Sequence, residues 1–169
     1  VIWTQVAEGV QELVEEYEQR EKWAEVAPLR INALMLTPDR GPESYRVEQL
    51  KDESIAKMIT MSEKNERPGP DETDKEVKAA TYQWKNLGII EGVLYRKFAQ
   101  ENERVNQYVV PRHERAEILR QAHETPLSGH FGQKKTLEKL RTRFYWPMMK
   151  KDTEEFIKSG FDTRHVIKL

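Results

Sequence analysis

The chain has 169 residues and a mass of 20.0 kDa, which is enough for one ordinary domain or two small ones. Charged residues make up 34% and hydrophobic residues 37%, so we expect part of the chain to be a linker or a solvated helix. The sequence excludes a transmembrane helix, because it has no run of 18 apolar residues, and it has no cysteine for a disulfide or a thiolate zinc site. The start lacks both Met and a secretory signal, so we expect a piece of a longer intracellular polypeptide, nuclear or cytoplasmic and not secreted.

The net charge of -1 conceals opposite charges in the two halves of the chain. Residues 1–80 hold 18 acidic and 11 basic side chains, whereas residues 81–169 hold 11 acidic and 17 basic ones. The C-terminal half is therefore basic enough to approach a phosphate backbone, and the whole-chain pI of about 6.5 does not argue against this.

The first predicted element is an amphipathic helix over residues 3–24. Its apolar residues recur at steps of three and four: Trp3, Val6, Val10, Leu13, Tyr17 and Ala24. This stripe predicts either a helix that packs on a neighbouring domain or a short coiled coil whose seam Arg20 interrupts. Residues 28–45 contain three prolines and a glycine, so we assign residues 1–45 to a helical arm and a linker.

Two helices are predicted early in the next part, residues 46–111. The first is expected over about 47–61 and the second over about 74–86. Tyr82 and Trp84 are both expected to lie in the core beneath the second helix.

The hydrophobic pattern changes to that of strands after Trp84. Two β-rich runs flank Glu91 and Gly92, and Gly92 supplies the positive φ that a tight hairpin needs. A third run at 107–111 ends in a proline, which cannot donate to a ladder. We therefore expect a small three-stranded antiparallel sheet with flanking helices, and an α+β fold for the chain.

Residues 112–169 are predicted to form a helical bundle. Helices are expected over about 112–123 and 132–143, and a third follows Pro147. The aromatic run at 144–146 lies between the last two helices, and we expect it to fill the core of the bundle rather than to stack on bases.

Two histidines, His123 and His130, stand seven positions apart with Pro126 and Gly129 between them. If the first ends a helix and the second begins the next, a turn between them brings both rings to one metal ion. Ordinary surface or capping histidines give the same spacing, so the pattern alone leaves both interpretations open.

A longer pattern around these histidines carries more information. The run His123-Glu-Thr-Pro-Leu-Ser-Gly-His130-Phe-Gly-Gln-Lys-Lys-Thr136, followed by Phe144-Tyr-Trp-Pro147, resembles the zinc-binding N-terminal domain of gypsy-type retrotransposon integrases. Gly92-Val-Leu-Tyr-Arg96 and Val109-Val-Pro-Arg112 resemble the small sheet domain that comes just before it in that family. The resemblance covers roughly residues 47–168.

In that family two histidines and two cysteines hold one zinc ion, which stabilises a bundle with little core of its own. The resemblance therefore implies that His123 and His130 are the nitrogen ligands. At the positions of the family's Cys-x-x-Cys this chain has Gly160 and Thr163, so both sulfur ligands are missing. We expect the chain to bind zinc weakly or not at all.

Three explanations of the missing cysteines stay open. The chain is a domesticated or decayed copy without zinc, or the cysteines were changed by design, or other side chains replace them. For the third explanation the candidates are His165 and Asp162 (or water), which would complete a weaker site with the two histidines.

Basic residues crowd the segment that follows the histidines. Seven of them occupy 18 positions: Lys134, Lys135, Lys139, Arg141, Arg143, Lys150 and Lys151. On one continuous helix Lys135, Lys139 and Arg143 would form a single ridge, which is either a solvated face or a contact to DNA phosphates. The resemblance favours DNA, and the candidate DNA-binding residues are Lys134, Lys135, Lys139, Arg143 and Lys150.

The sequence shows no catalytic constellation. Integrase chemistry needs three carboxylates that hold two divalent ions, and in the family the domain that carries them follows the zinc domain. We therefore expect a non-catalytic N-terminal region of an integrase, which aids multimerisation and binds element-end DNA. Its expected partners are DNA and other integrase subunits, with no membrane and no small-molecule substrate. The alternative is a domesticated, metal-free protein–protein interaction or assembly module, which the acidic half and the apolar stripe favour.

Overall fold

A computed structural model describes residues 40–100, 103–124 and 133–159 of the chain. The amphipathic helix predicted over 3–24 lies outside these residues. Within them, one four-stranded sheet lies between two sets of helices. The α+β class predicted from the sequence is confirmed. None of the described helices is long and apolar enough to cross a bilayer.

The described residues form six α-helices and four strands. The helices are Pro42–Leu50 (α1), Glu53–Glu63 (α2), Lys75–Ala80 (α3), Arg112–Glu124 (α4), Gln133–Arg141 (α5) and Met149–Lys158 (α6). A 3₁₀ helix, Thr81–Asn86, continues α3 directly. The strands are Leu87–Ile90 (β1), Val93–Gln100 (β2), Glu103–Val109 (β3) and Phe144–Tyr145 (β4).

The single helix predicted over about 47–61 is in fact two helices that meet at Asp52. The Asp52 side chain accepts hydrogen bonds from the backbone N–H groups of Ser54 (3.1 Å) and Ile55 (3.3 Å). It therefore caps α2 and ends the preceding turn. Helix α1 begins at Pro42, inside the stretch predicted to be a linker, because proline suits the first position of a helix.

The sheet has the order β1-β2-β3-β4, with the first three strands antiparallel, as predicted. The turn between β1 and β2 has positive φ at both Glu91 (50°) and Gly92 (79°), as a two-residue hairpin of the I′ type requires. The fourth strand, β4, was not predicted. It pairs parallel to β3, so the sheet is mixed. The backbone N–H of Val110 donates to the Tyr145 carbonyl at 2.9 Å and extends this pairing.

The two faces of the sheet carry separate hydrophobic cores, because alternate residues of a strand point to opposite faces. Tyr95 and Tyr108 lie on one face and pack with α4, α5 and α6, whose buried residues include Leu119, Leu140 and Phe156. Leu94 and Val109 lie on the other face. They pack with residues of α2, α3 and the 3₁₀ helix: Ile55, Met58, Ile59, Val77, Ala80 and Trp84. One sheet therefore contributes to both cores.

The aromatic run at 144–146 is buried. Phe144 and Trp146 lie in the core of the bundle, as predicted, whereas Tyr145 packs in the core on the other face of the sheet. Phe144, Tyr145 and Trp146 are 8%, 9% and 0% exposed. The prediction for Tyr82 is wrong, because its side chain is 86% exposed although Trp84 is buried. Trp84 follows the buried Val77 by seven residues and so shares its face of the helix, whereas Tyr82 follows Val77 by five and points elsewhere.

Two buried polar contacts hold the helices in place, the first between a helix and the sheet and the second between two helices. Gln49 of α1 donates from Nε2 to the carbonyls of Leu94 (2.9 Å) and Val109 (2.8 Å), and its Oε1 accepts from the Leu94 N–H (2.8 Å). Glu76 of α3 makes two hydrogen bonds of 2.7 Å with the Arg115 guanidinium of α4. The second contact joins the two sets of helices, since α3 packs on one face of the sheet and α4 on the other.

Candidate metal and nucleic-acid-binding sites

His123 is the one predicted metal ligand that lies within the described residues. It occupies the last turn of α4, is 8% exposed, and has its Nδ1 atom enclosed by protein. Its neighbours along α4, Leu119 and Ala122, belong to the core that covers the sheet. The ring is therefore held by packing, which argues against the surface-histidine interpretation and suits a positioned side chain.

The other predicted ligand, His130, and the candidate substitutes Asp162 and His165 lie outside the described residues, as do Gly160 and Thr163. A geometry for four ligands therefore stays a prediction. The donor set itself can be tested against the sequence, which contains no cysteine. Zinc in a His2Cys2 site needs two thiolates, so the residues present do not fit that site.

The described part of the bundle has an extensive apolar core of its own. Trp146 and Phe156 are completely buried, and Leu119 and Leu140 are at most 1% exposed. These side chains pack against Tyr108 and its neighbours on the sheet. The Trp146 Nε1–H also donates to Asp152 Oδ2 at 2.8 Å, which ties β4 to α6. The sheet thus supplies apolar surface that an isolated three-helix unit would lack.

The structure brings together a second group of side chains of the kinds that bind metals, which the sequence did not predict. Donor atoms of Glu48, His113 and Glu114 all lie within 4.8 Å of one another, but each of the three side chains already has a partner within the chain. Arg40 lies 2.6 Å from Glu114, Lys51 lies 2.6 Å from Glu48, and His113 Nε2 lies 2.8 Å from Glu48. Hydrogen bonds from Lys51 and then His113 hold the pKa of Glu48 below its usual range. We interpret the group as an ion-pair network that joins α1 to α4.

The candidate DNA-binding lysines Lys134, Lys135 and Lys139 all lie on α5. Leu137 and Leu140 of this helix face the core, while Lys134 and Lys135 are exposed and Lys139 is half-buried. Lys134 lies 4.0 Å from Glu138 at the helix surface, where a pair of this kind contributes little to stability. The structure therefore brings these three lysines together on the outer side of α5.

Arg143 does not extend this surface as predicted. Helix α5 ends at Arg141, two residues earlier than expected, and the chain turns so that β4 can pair with β3. The Arg143 carbonyl accepts a hydrogen bond from the Tyr108 N–H at 2.8 Å, which fixes this turn on the sheet. The predicted ridge therefore has only its first two members on one helix. Lys150, the remaining candidate, is exposed in the first turn of α6.

Arg96, which the sequence singled out only as part of a motif, has a structural role. Its guanidinium stacks over the rings of Phe98 (4.9 Å) and Tyr145 (4.6 Å) and donates to Gln107 at 2.9 Å. Burial lowers the pKa of Arg96 from its usual value. The side chain is therefore committed to the sheet and is not a phosphate contact.

Comparison with known families found a match in the C-terminal part of the chain. The model of the integrase zinc binding domain matches residues 110–160, which run from the end of β3 through α6. This segment, less than a third of the chain, is similar to the non-catalytic N-terminal domain of integrases. Searches of the curated proteins and of the solved structures found no significant match.

Proposed function

We propose that this chain is the non-catalytic N-terminal region of a gypsy-type retrotransposon integrase. It binds the DNA ends of the element and helps integrase subunits to assemble during DNA integration. In this proposal the chain is part of a polyprotein and acts in the nucleus or cytoplasm. The observation that carries the proposal is the integrase zinc-binding match over residues 110–160, a segment whose α5 and α6 present exposed lysines.

The proposal divides the chain into three parts. Residues 1–45 are the arm and linker, residues 46–111 are the small α/β domain, and residues 112–169 are the domain of the zinc-binding type. The shared sheet supports close packing of the second and third parts, because β4 from the third pairs with β3 from the second. Assembly is assigned to the first part because of its apolar stripe.

The proposed metal state follows from the donor set. His123 is positioned by the core of α4, and we propose that His130, with His165 or Asp162, gives at most a weak site. Because both thiolates are absent, zinc contributes little to the stability of this domain.

DNA binding is tested with the full chain and a fluorescent 30-base-pair duplex, followed by anisotropy at several salt concentrations. The variant Lys135→Glu/Lys139→Glu should lose at least tenfold in affinity and flatten the salt dependence, because each phosphate contact contributes about 0.9 to the slope. The control Lys64→Glu/Arg67→Glu makes the same change of charge at exposed positions around the end of α2. If both variants bind the duplex as tightly as the wild type, the proposed DNA surface is wrong.

The second candidate function is a metal-free interaction or assembly module. The acidic N-terminal half and the apolar stripe over 3–24 favour it, since neither is a DNA-binding feature. Sedimentation of the full chain and of a variant that lacks residues 1–27 tests this candidate. Loss of oligomer in the shortened chain supports an assembly arm, whereas two monomeric samples contradict it.

A further inference from the structure

A row of three lysines and one tyrosine runs along α3 and the 3₁₀ helix that continues it. This lysine–tyrosine row consists of Lys75, Lys78, Tyr82 and Lys85, all of which are exposed. Each residue advances by about 100° around an α-helix and about 120° around a 3₁₀ helix. These steps bring the four side chains to within about 60° of one another around the helix axis, so they form one surface.

The opposite side of the same helices is buried and fixed. Val77, Ala80 and Trp84 pack into the core on the Leu94 face of the sheet. The Asp74 side chain caps α3 by accepting hydrogen bonds from two backbone N–H groups. The row is therefore presented on a rigid support, and binding to it costs little ordering of the backbone.

The positive charge of the row is not compensated in the part of the chain that the structure describes. Lys75, Lys78 and Lys85 make no ion pair there, whereas several other surface lysines do. Glu76, the one acidic residue of the two helices, faces inward and pairs with Arg115. An anionic partner would therefore meet lysines whose charge is not already neutralised.

The acidic residues nearest the row lie in the loop over 71–74, before Lys75. Two of them are engaged elsewhere: Glu72 lies 2.7 Å from the Lys57 ammonium and Asp74 accepts from Ser54 at 2.7 Å. The carboxylates of this loop still make the electrostatic potential around Lys75 less positive than the potential around Tyr82 and Lys85. Binding of an anion is therefore centred on the C-terminal part of the row.

Tyr82 is the feature that points to nucleic acid rather than to a simple anion. Its ring is 86% exposed, although a large aromatic side chain is ordinarily at least partly buried. Lys78 precedes it by four residues and Lys85 follows it by three, a span of about 13 Å along the axis. A span of this length accommodates a short single-stranded segment of a few nucleotides.

From these observations we infer that the lysine–tyrosine row binds a single-stranded segment of nucleic acid. Tyr82 stacks on an unpaired base, and Lys78 and Lys85 contact the phosphates on either side of it. A base inside a duplex does not offer its face to a side chain, so the row prefers single strands. The row lies on the opposite face of the sheet from α5, so it is separate from the duplex-binding surface proposed above and does not depend on it.

The test uses the full chain and a fluorescent 12-nucleotide oligothymidylate, followed by anisotropy between 50 and 200 mM salt. The variant Lys78→Gln/Lys85→Gln should weaken binding at least fivefold and reduce the salt slope by about 1.4, because two contacts to a single strand are lost. Tyr82→Ala should also weaken binding at least fivefold, and Tyr82→Phe should stay within twofold of the wild type because it keeps the ring. Thermal melts of these surface variants should match the wild type.

Matched variants separate this inference from the proposed function. Lys64→Gln/Arg67→Gln, which removes two exposed charges elsewhere, should leave the binding of oligothymidylate unchanged. Lys135→Glu/Lys139→Glu should weaken binding of the duplex but not of the single strand. The inference is wrong if the chain does not bind oligothymidylate, or if the row variants and Tyr82→Ala bind it as the wild type does, whatever the duplex result.

An acidic protein segment is the competing occupant. Residues 1–39 hold eight acidic and three basic side chains and are the obvious source within this chain. If the row binds nucleic acid as inferred, a synthetic peptide of residues 1–39 should fail to displace bound oligothymidylate. Displacement that Lys78→Gln/Lys85→Gln abolishes would assign the row to that segment and overturn the inference.

Discussion

Replacement of Gln49 by methionine tests how α1 is fixed to the sheet. The side chain makes three buried hydrogen bonds where β2 and β3 stop pairing, two to the carbonyls of Leu94 and Val109 and one from the Leu94 N–H. Methionine fills a similar volume but leaves all three backbone groups without these partners. At about 1 kcal/mol for each lost bond, we expect a loss of about 3 kcal/mol in the free energy of unfolding. Urea unfolding followed by circular dichroism measures it.

The control for this change is Leu50→Ala at the neighbouring position, where the side chain is 46% exposed. We expect a loss of about 1 kcal/mol or less for the control, because about half of the side chain is already exposed to water and no hydrogen bond is lost. A third variant, Gln49→Glu, should be unstable at pH 7, since a buried carboxylate would face two carbonyl oxygens, and should regain stability as the pH falls and the group is protonated. If Gln49→Met is within 0.5 kcal/mol of the wild type, the three bonds do not anchor α1.

Three further predictions concern charged groups. Arg115→Met should cost about 3 kcal/mol in urea unfolding, because it removes two hydrogen bonds from the buried Glu76 carboxylate and leaves it only the half-exposed Arg112 guanidinium at 3.2 Å. Glu76→Gln/Arg115→Met should recover part of that loss, and equal losses in the two variants would contradict a buried ion pair. Burial raises the pKa of Asp152, so its ionised form is disfavoured in the folded state. Asp152→Asn keeps an oxygen that accepts the hydrogen bond from Trp146, and it should therefore unfold at an equal or higher temperature than the wild type at pH 7. That advantage should disappear as the pH falls through the raised pKa, and a variant less stable than the wild type at pH 7 would refute the argument. The opposite sign holds for Glu48, whose pKa is lower in the folded state than in the unfolded state. Its ionised form therefore stabilises the fold at pH values above the unfolded-state pKa, and this stability is lost as the pH falls through the folded-state pKa. Glu48→Gln should consequently make the melting temperature fall less steeply on acidification.

Local signals in the sequence predicted most of the elements. The hairpin was predicted from Gly92, which readily takes a positive φ, and α4 was predicted from the helical period of residues 112–123. The split between α1 and α2 was missed because the apolar spacing continues across Asp52. Its role as the cap of α2 depends on α1 ending just before it, and the sequence pattern does not mark that end. Strand β4 was missed because two residues carry no period of their own, and their pairing with β3 is made across the fold.

The candidate sites were predicted less completely, and for a different reason. His123 was singled out from its spacing to His130 and from the family resemblance, and its role as a metal ligand stays a prediction. The structure shows that it is 8% exposed in the last turn of α4. The network of Glu48, His113 and Glu114 brings together residues some 65 positions apart, which no local pattern reveals. Tyr82 was assigned to the core from its residue type alone, although its spacing from the buried helix positions predicts an exposed side chain.

We propose that the domain similar to the integrase zinc-binding domain is held by its packing on the sheet rather than by zinc. Trp146, Phe156 and the sheet residue Tyr108 belong to the core on which this proposal depends. The most direct test is the zinc content of the purified full chain, with a thermal melt before and after treatment with a chelator. We expect well under one zinc per chain and an unchanged melt. One zinc per chain, with a melting temperature that falls in the chelator, would contradict it and would mean that His123 and His130 have recruited other ligands.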